Sequence, residues 1–382
     1  MTRVAVPTRM LRWAIDRSDV PEQRLRDRFS KLPEWLAGDR QPTLKQLEVF
    51  ARMTHTPVGY LFLNEPPREQ IPIPDFRTIA GQPVAHPSPN LLETIYLCQQ
   101  RQDWYRDYAR SSGEGPLDFV GSAQLGDDVT VIAQRIRAAI GFNLDQRRQL
   151  RTWTEALRNF IQQADQLGVL VMVSGVVGGN NQRKLNPEEF RGFALADPFA
   201  PLVFINGADT KSAQMFTLAH ELAHLWLGES ALSDVSPRIT PDHQIERWCN
   251  RVAAELLIPL DSLREAHQPN EPLRGALDRL ARQFKVSTLV VLRRLFDARR
   301  LTRERFWDAY DAELRRLREL ARSSGGGDYY LTTAARVSRR FAHAVITAAW
   351  EGRASFSEAF HMVGCRKMST FQQLGESVGV VA

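Results

Sequence analysis

Two histidines and a glutamate near the middle of the chain have the spacing of a metal-binding helix. They are His220, Glu221 and His224, in the order His-Glu-x-x-His. On an α-helix, side chains four positions apart lie on one face, one turn apart, so both imidazoles can reach the same ion. Glu221 lies beside them, in the position of a general base for metal-assisted hydrolysis. The spacing therefore predicts a hydrolytic metal site on a helix.

The residues around these three side chains are almost all apolar. Residues 216–228 read FTLAHELAHLWLG, so a helix here would be buried on nearly every side. Ionisable groups in such a helix are costly unless a strong partner satisfies them, and a divalent cation is such a partner. We therefore expect Zn²⁺ as the cofactor of a buried centre.

A hydrolytic zinc site needs a third protein ligand, and the sequence offers several candidates. No histidine follows His224 at the spacing of the extended H-E-x-x-H-x-x-G-x-x-H type. A second apolar helical stretch, residues 245–259, places Glu246 and Asn250 on one face. Glu246 could ligate the metal while Asn250 orients a ligating histidine ring. The alternative ligands are Asp242, His243 and Glu255.

Two of these residues also have a second interpretation. Glu246 falls in the first turn of its predicted helix, where the helix dipole favours a glutamate with or without a metal. His243 lies one turn before Glu246, where it could stabilise the oxyanion of a tetrahedral intermediate or lie at the surface near a helix start. The sequence leaves both sets of alternatives open.

Residues 168–260 resemble the ImmA/IrrE family of metallopeptidases. The family pattern FTLAHELxH, followed by ExxxNxxAAxLLxP, is met by residues 216–224 and 246–259. The resemblance implies a thermolysin-like centre with three zinc ligands and a general base. These residues would be His220, His224 and Glu246 for zinc, and Glu221 for the base.

The resemblance has a further consequence. It implies that residues 201–206 (PLVFIN) form a strand beside the cleft, along which an extended substrate could add as another strand.

The Trp248-Cys249 pair departs from the family pattern, which usually has small or charged residues there. We interpret Cys249 as a core residue rather than a reactive thiol.

The N-terminal residues are similar to the second half of the helix-turn-helix domains of phage-repressor-like (XRE-type) regulators. The similar stretch is residues 32–63, with GDRQPT in place of the glycine-lysine-proline turn after the recognition helix. On this resemblance, residues 31–36 would approach the major groove of DNA. The side chains expected to contact DNA are Arg24, Arg28, Lys31 and Arg40.

Two features of this segment favour a protein-docking role instead. Pro33 and the acidic Glu34 lie where base-reading polar or basic side chains are needed, and a charge of +3 over residues 1–66 is small for DNA binding. A second basic helix pair, residues 277–302, also resembles a helix-turn-helix, but we favour the interpretation that these helices pack on the peptidase with their arginines on the solvated face. DNA binding and protein docking both remain open for the N-terminal bundle.

Periodicity predicts a mainly helical α+β protein with a small mixed β-sheet. The sheet is expected from short β-rich runs near 168–174, 190–196 and 201–206. A Pro-rich connector and the Gly-rich stretch 323–328 divide the helical remainder. The predicted domains are a helix-turn-helix bundle (1–66), a linker with a connecting helix (67–127), a zincin-like peptidase domain (128–260), a helical extension (261–322) and a C-terminal helical hairpin (329–382).

Composition restricts the class of protein. The 382 residues are 43% hydrophobic and 25% charged, and three widely spaced cysteines cannot form a disulfide scaffold. Charges among the first residues, and the lack of an apolar run of about 18 residues, argue against export and membrane insertion, so we expect a cytoplasmic protein. The net charge of +6 divides into +3 for residues 1–66, −4 for the middle and +7 for residues 261–382.

Together these patterns predict a cytosolic zinc endopeptidase of the ImmA/IrrE type. Its expected partner is one regulatory protein, a repressor or an antitoxin, in stress, mobile-element or toxin-antitoxin control. The alternative is a non-catalytic DNA-binding regulator, or the antitoxin partner of a neighbouring toxin, with a structural or vestigial metal site. Promoter DNA is a second expected partner, and a homodimer is possible because many repressor-type domains bind paired half-sites as dimers.

Overall fold

The computed structural model of the protein describes residues 3–18, 20–76, 78–79, 82–83, 87–233, 243–322 and 329–380. Its internal contacts divide the chain into two compact units. Unit 1 comprises Met1–Pro72 with Val84–Ile95, and unit 2 comprises Ile73–Pro83 with Tyr96–Ala382. The finer domain boundaries within unit 2 stay predictions from the sequence.

Unit 1 consists of short helices around a small apolar core. The helices are α1 (Thr8–Arg17), α2 (Glu22–Arg28), α3 (Leu32–Ala37) and α4 (Leu44–Met53), followed by a 3₁₀ turn at Val58–Phe62. α3 ends at Gly38, which has the left-handed conformation that glycine adopts without strain. α4 begins at Thr43, whose hydroxyl accepts a hydrogen bond from the Gln46 N–H. Trp35, Leu47 and Phe50 pack in the core that these helices enclose.

Unit 2 is mainly helical. Its helices begin with α5 (Pro89–Ser111), whose first residues belong to unit 1, and continue with α6 (Val129–Ile140), α7 (Leu144–Gln149), α8 (Trp153–Leu167), α9 (Lys211–Leu227), α10 (Gln244–Leu257), α11 (Leu260–Ala266), α12 (Leu273–Phe284), α13 (Thr288–Asp297), α14 (Arg303–Arg322), α15 (Tyr329–Val337), α16 (Arg339–Trp350), α17 (Phe356–Val363) and α18 (Met368–Val378). In the described part of the chain, no helix has both the length and the apolarity to cross a membrane.

The C-terminal region differs from the hairpin that the sequence predicts for residues 329–382. Its described residues form the four helices α15 to α18. Ser338, Gly352 and Gly364 interrupt the helical run, because all three have a positive φ that an α-helix does not accommodate. The apolar periodicity suggests two long helices, but these three residues divide the region into four shorter ones.

A mixed sheet lies among the helices of unit 2. The strands are β1 (Thr78–Ile79), β2 (Gln82–Pro83), β3 (Leu170–Ser174), β4 (Gly192–Leu195), β5 (Leu202–Asn206) and β6 (Ala231–Ser233). β1 and β2 pair with each other, and the other four form a sheet in the order β3-β5-β4-β6. β3 and β5 are parallel, and the remaining neighbours are antiparallel. This architecture confirms the predicted mainly helical α+β class.

The sheet order corrects one expectation about substrate binding. Residues 201–206 contain β5, which pairs with β3 on one side and with β4 on the other. Because both of its edges are used, an extended peptide cannot add to β5 as another strand. The sheet instead ends at β3 and β6, and Leu232 of β6 forms a parallel bridge with Asp75 of the Pro-rich connector.

Three arginines, two of them buried, fix the C-terminal end of α10. Backbone carbonyls within residues 255–258 accept hydrogen bonds from Arg137, Arg147 and Arg294, at 2.6, 2.6 and 2.8 Å. A helix C-terminus carries partial negative charge, so these cations stabilise it. Arg294 also forms a buried ion pair with the Glu255 carboxylate.

The second basic helix pair, residues 277–302, contributes to the core of unit 2. Leu280 of α12 and Val291 of α13 are fully buried. Arg293 pairs with Asp297, and Arg294 is held in its buried ion pair. These contacts favour the packing interpretation of this segment over a second DNA-binding motif.

Candidate metal centre

α9 carries both histidines of the His-Glu-x-x-His motif, and its sequence fixes it at both ends. The Thr210 hydroxyl accepts the N–H of Ala213 at the start, and Gly228, with φ of 72°, ends the helix just after the motif. The helix packs against β4 and β5 and against α10. Residues 217–226 are consequently all buried, as their apolar sequence predicts.

The structure brings His220, His224 and Glu246 together at one point. The two Nε2 atoms are 3.1 Å apart. The Glu246 oxygens lie 3.2 Å from Nε2 of His220 and 3.0 Å from Nε2 of His224, and all three side chains are at most 1% exposed. Zinc bonds of about 2.0–2.1 Å in a tetrahedral site separate the ligand atoms by about 3.3 Å. The three side chains therefore match the ligand spacing of a single ion.

The chemistry of these side chains also fits a divalent cation. Histidine ligates through an unprotonated nitrogen, so two facing Nε2 atoms at this distance, without an ion, would repel each other or need a proton between them. Oε2 of Glu246 and both carboxylate oxygens of Glu221 are buried without a hydrogen-bond partner. Such atoms cost about 1–3 kcal/mol each when nothing satisfies them. A cation among the facing atoms offsets this cost for the ligand groups.

The two glutamates of the centre differ in proton affinity. Burial, and then the nearby Glu246 carboxylate, raise the pKa of Glu221 well above its usual range. Burial acts in the same direction on Glu246, but the His220 and His224 imidazoles outweigh it and hold the pKa of Glu246 well below its usual range. Glu246 is thus in the ionised form that ligates a metal, whereas Glu221 is in an environment that favours accepting a proton.

Two side chains at or near the centre, Ser233 and Phe76, could not be identified from the sequence pattern. Ser233, the last residue of β6, donates a hydrogen bond to Oε1 of Glu246 at 3.3 Å and lies 3.3 Å from Nε2 of His224. The ring of Phe76 lies 6.3 Å from the His224 ring and 4.5 Å from the His243 ring, between centroids. A lone serine after a short β-rich run and a phenylalanine in a Pro-rich connector show no periodicity that could identify them.

Gly192 of β4 allows the sheet to approach α9 closely. A Cβ atom at this position would lie 2.5 Å from Cγ2 of Thr217, 2.8 Å from the Phe204 carbonyl oxygen and 3.2 Å from Oε1 of Glu221. No side chain fits in that space without a shift of the backbone or of α9. Gly192 therefore positions the predicted base, and only an alignment or a structure could have identified it.

The other described candidates from the sequence are not part of the three-residue cluster. Glu255 is paired with Arg294 at the opposite end of α10. Asn250 forms no hydrogen bond to a ligand ring, because Nδ1 of each histidine has no partner, and Asn250 lies about 6 Å along the helix from Glu246. His243 is exposed at the start of α10 and outside the cluster, so its oxyanion role stays a prediction. Asp242 lies outside the described residues.

The four cations predicted to contact DNA lie in unit 1 and differ in their pairing. Arg24 and Arg28 are exposed on α2, and no described residue forms an ion pair with either. Lys31 and Arg40 both pair with Glu34, at 2.8 and 3.2 Å. These contacts with Lys31 and then Arg40 lower the pKa of Glu34. Two of the four cations that were predicted to contact DNA therefore already form an ion pair with an acidic neighbour.

The cluster of His220, His224 and Glu246 lies in a region that is similar to a known protein family. A family model described as the IrrE N-terminal-like domain matches residues 164–296, and a model described as a domain of unknown function matches residues 337–377. The chain is 35% identical to the radiation response metalloprotease IrrE of Deinococcus radiodurans over 121 residues, which are 30% of this chain and 36% of that protein. The corresponding protein of Deinococcus deserti is 37% identical over 101 residues, 25% of this chain and 36% of that protein.

These matches cover a limited part of each protein. The chain spans about a third of the length of the curated relatives that it matches. The matched region, however, contains both motif histidines, Glu221 and Glu246. Residues 164–296 thus form a domain similar to the IrrE N-terminal-like domain, and they contain the whole His-His-Glu cluster.

Proposed function

We propose that unit 2 is a zinc-dependent endopeptidase. The observation that carries this proposal is the buried cluster of His220, His224 and Glu246, with the unpaired carboxylate of Glu221 on the same helix as the histidines. Two imidazoles and a carboxylate with an open fourth position are the ligand set of hydrolytic zinc sites. Similarity to two proteins named metalloproteases supports the same reaction.

The residues of the centre have distinct roles in peptide hydrolysis. His220, His224 and Glu246 would hold the zinc ion, which supplies Lewis acidity towards a peptide carbonyl and a water molecule. Glu221 accepts the proton of the attacking water, because burial and Glu246 raise its affinity for a proton. The same carboxyl group then gives that proton to the leaving amine. The apolar helix around Glu221 keeps bulk water out, which strengthens these electrostatic interactions.

The substrate that we propose is one regulatory protein, a repressor or an antitoxin, in the cytoplasm. Both relatives are named for a radiation response, which supports a role in stress control. Cys98, Cys249 and Cys365 are buried free thiols, as expected for a protein of a reducing compartment. The complete burial of the metal ligands also favours a selective enzyme, because random peptides cannot reach them directly.

The test compares two variants of the full chain with wild type. Glu221→Gln should retain about one zinc per chain but lose cleavage of the proteins encoded by neighbouring genes, since its amide cannot accept a proton. His220→Ala should lose both zinc and cleavage. Metal content is measured by elemental analysis and cleavage by mass spectrometry. Cleavage at the wild-type rate by Glu221→Gln would exclude the proposed base, and a metal-bound wild type that cleaves no neighbour would favour the regulator.

A second candidate function, binding of nucleic-acid phosphates, is favoured by a surface cavity in unit 1. The cavity has a volume of about 340 Å³ and is lined by the cations Arg28, Lys31 and Lys45, with Trp35 and the start of α4 at Thr43. No described residue forms an ion pair with Arg28 or Lys45. Backbone N–H groups at a helix start and unpaired cations both attract phosphate. We propose that a regulator function of this protein would use this surface.

The salt dependence of DNA binding tests this second function. We expect Arg28→Ala to weaken binding to the protein's own promoter DNA and to reduce the slope of log K against log salt by about one. Arg26→Ala is the matched control on the same helix, because Arg26 is paired with Glu22. Fluorescence anisotropy at several salt concentrations gives both slopes. No salt-dependent binding by wild type, or equal effects of the two substitutions, would contradict this role.

A further inference from the structure

The outer edge of β6 is occupied by a segment of the chain itself. We call residues 73–76 the connector segment. The N–H of Phe76 donates to the Leu232 carbonyl at 3.0 Å, and the N–H of Leu232 donates to the Pro74 carbonyl at 2.9 Å. The segment runs parallel to β6 and forms a bridge between Asp75 and Leu232. The connector segment therefore extends the sheet by one short, irregular strand. It pairs with Leu232, the residue that precedes Ser233 of the metal centre.

The connector segment also places an aromatic ring beside a predicted metal ligand. The Phe76 ring is nearly parallel to the His224 ring, with an interplanar angle of 19° and 6.3 Å between centroids, and it contacts the His243 ring at 4.5 Å. Phe76 is half-buried, and Ile73 is 8% exposed. The segment thus contributes a buried aliphatic side chain and a half-buried aromatic side chain, three positions apart. The ligands His220 and His224 have no exposed surface in this arrangement.

The attachment of the connector segment is weak for a strand. Pro74 faces β6 with its carbonyl but has no N–H to donate, so the described pairing consists of two hydrogen bonds. Each such bond contributes little net stability, because water replaces it when the strand leaves. A second proline, Pro72, precedes the segment and favours an extended backbone before any pairing occurs. The segment is therefore extended, preorganised and displaceable.

We propose that the outer edge of β6 is a peptide-binding edge with an aromatic subsite beside His224, and that the connector segment fills it. Its ligand is an extended peptide that carries an aliphatic residue and, three positions later, an aromatic residue. A peptide of this kind replaces the two hydrogen bonds to Leu232 and the ring contact of Phe76. The proposal rests on the proposed function only in that such a peptide would be a substrate. Binding at the edge, and competition with the connector segment, require no cleavage.

The first test measures access to the metal. The zinc-loaded full chain is mixed with an excess of a chromogenic chelator, and the rate of zinc release is recorded. We expect Phe76→Ala to release zinc about tenfold faster than wild type, because the ring no longer covers His224. Phe62→Ala, which alters an aromatic residue that is 46% exposed in unit 1, is the control and should release zinc at the wild-type rate.

The second test supplies the ligand from outside. A synthetic hexapeptide with the sequence of residues 71–76, IPIPDF, should slow zinc release from Phe76→Ala back towards the wild-type rate. The peptide IPIPDA, which lacks the aromatic ring, should have no effect. Equal release rates for wild type and Phe76→Ala, in proteins with the same unfolding midpoint, would overturn the proposal. So would equal effects of the two peptides.

A third measurement keeps the proposal testable if Phe76→Ala is unstable or zinc does not bind. In the metal-free protein, hydrogen exchange at the Leu232 amide reports whether the connector segment is paired. We expect exchange about tenfold faster in Phe76→Leu, which keeps an apolar side chain, than in wild type. An unchanged rate would show that the segment is a fixed part of the sheet. Because none of these readouts depends on hydrolysis, a protein that fails the Glu221→Gln cleavage test can still pass them.

Discussion

Replacement of Glu246 by alanine is expected to lower the zinc affinity of the protein by more than about 100-fold. Loss of a residue that merely supports a ligand costs about 10–100-fold, and Glu246 is itself placed as a ligand, 3.0 and 3.2 Å from the two Nε2 atoms. The substitution leaves His220 and His224 with no carboxylate partner in the cluster. Two imidazoles alone form an incomplete tetrahedral site, so the ion is lost.

Competition with a chelator of known affinity measures this change, and unfolding experiments provide a second readout. Zinc at about 100 times its dissociation constant should stabilise wild type by about 2.7 kcal/mol, and chelation should remove that increment. In Glu246→Ala the same treatment should leave the midpoint unchanged. Arg247→Ala, at the exposed adjacent position of α10, is the matched control and should bind zinc like wild type. Wild-type affinity in Glu246→Ala would mean that another residue is the third ligand.

Replacement of Gly192 by alanine is expected to reduce peptide hydrolysis by about 100-fold while zinc stays bound. The added methyl group would meet Thr217 at 2.5 Å and the Phe204 carbonyl oxygen at 2.8 Å, so β4 and α9 must move apart. A shift of about 1 Å in a catalytic group costs about two orders of magnitude in rate. The same overpacking should lower the free energy of unfolding by about 1–3 kcal/mol.

The control for this substitution is Gly275→Ala. Gly275 lies exposed near the start of α12, where a Cβ atom meets only the Glu271 side chain, at 3.4 Å or more. Alanine there should leave hydrolysis unchanged and stabilise the protein by up to about 1 kcal/mol through its helix propensity. Zinc content, cleavage rate and urea unfolding are compared for both variants. Full activity in Gly192→Ala would show that the distance between β4 and α9 does not position Glu221.

The parts of the centre that follow from local periodicity could be predicted from the sequence. His220 and His224 are four residues apart, and a buried helix with this spacing can direct both rings only to one side. Glu246 is likewise in the first turn of a helix with a strong apolar face, and the structure places it against both histidines. The resemblance to a metallopeptidase family also rests on these local motifs, which is why it identified the correct domain.

The remaining parts depend on contacts that are distant in sequence. The short β-rich run predicts that residues 201–206 form a strand, but no local pattern shows that this strand lies in the middle of the sheet. Ser233 and Gly192 act through single close contacts with residues on other elements. The break at Ser338 is also non-local, because its hydroxyl is held by the Asp165 carboxylate, 173 residues earlier in the chain.

The covered edge of β6 determines how unit 2 can be excised as a recombinant fragment. A fragment that begins at residue 128, or at 164 where the family match begins, would lack the connector segment and leave the Leu232 backbone groups without their partners. An open edge strand pairs with the same strand of other molecules, so such fragments should aggregate. They would also lose Gln102, whose amide donates to the Leu195 and Ala200 carbonyls between β4 and β5. A soluble fragment therefore has to begin before Ile73.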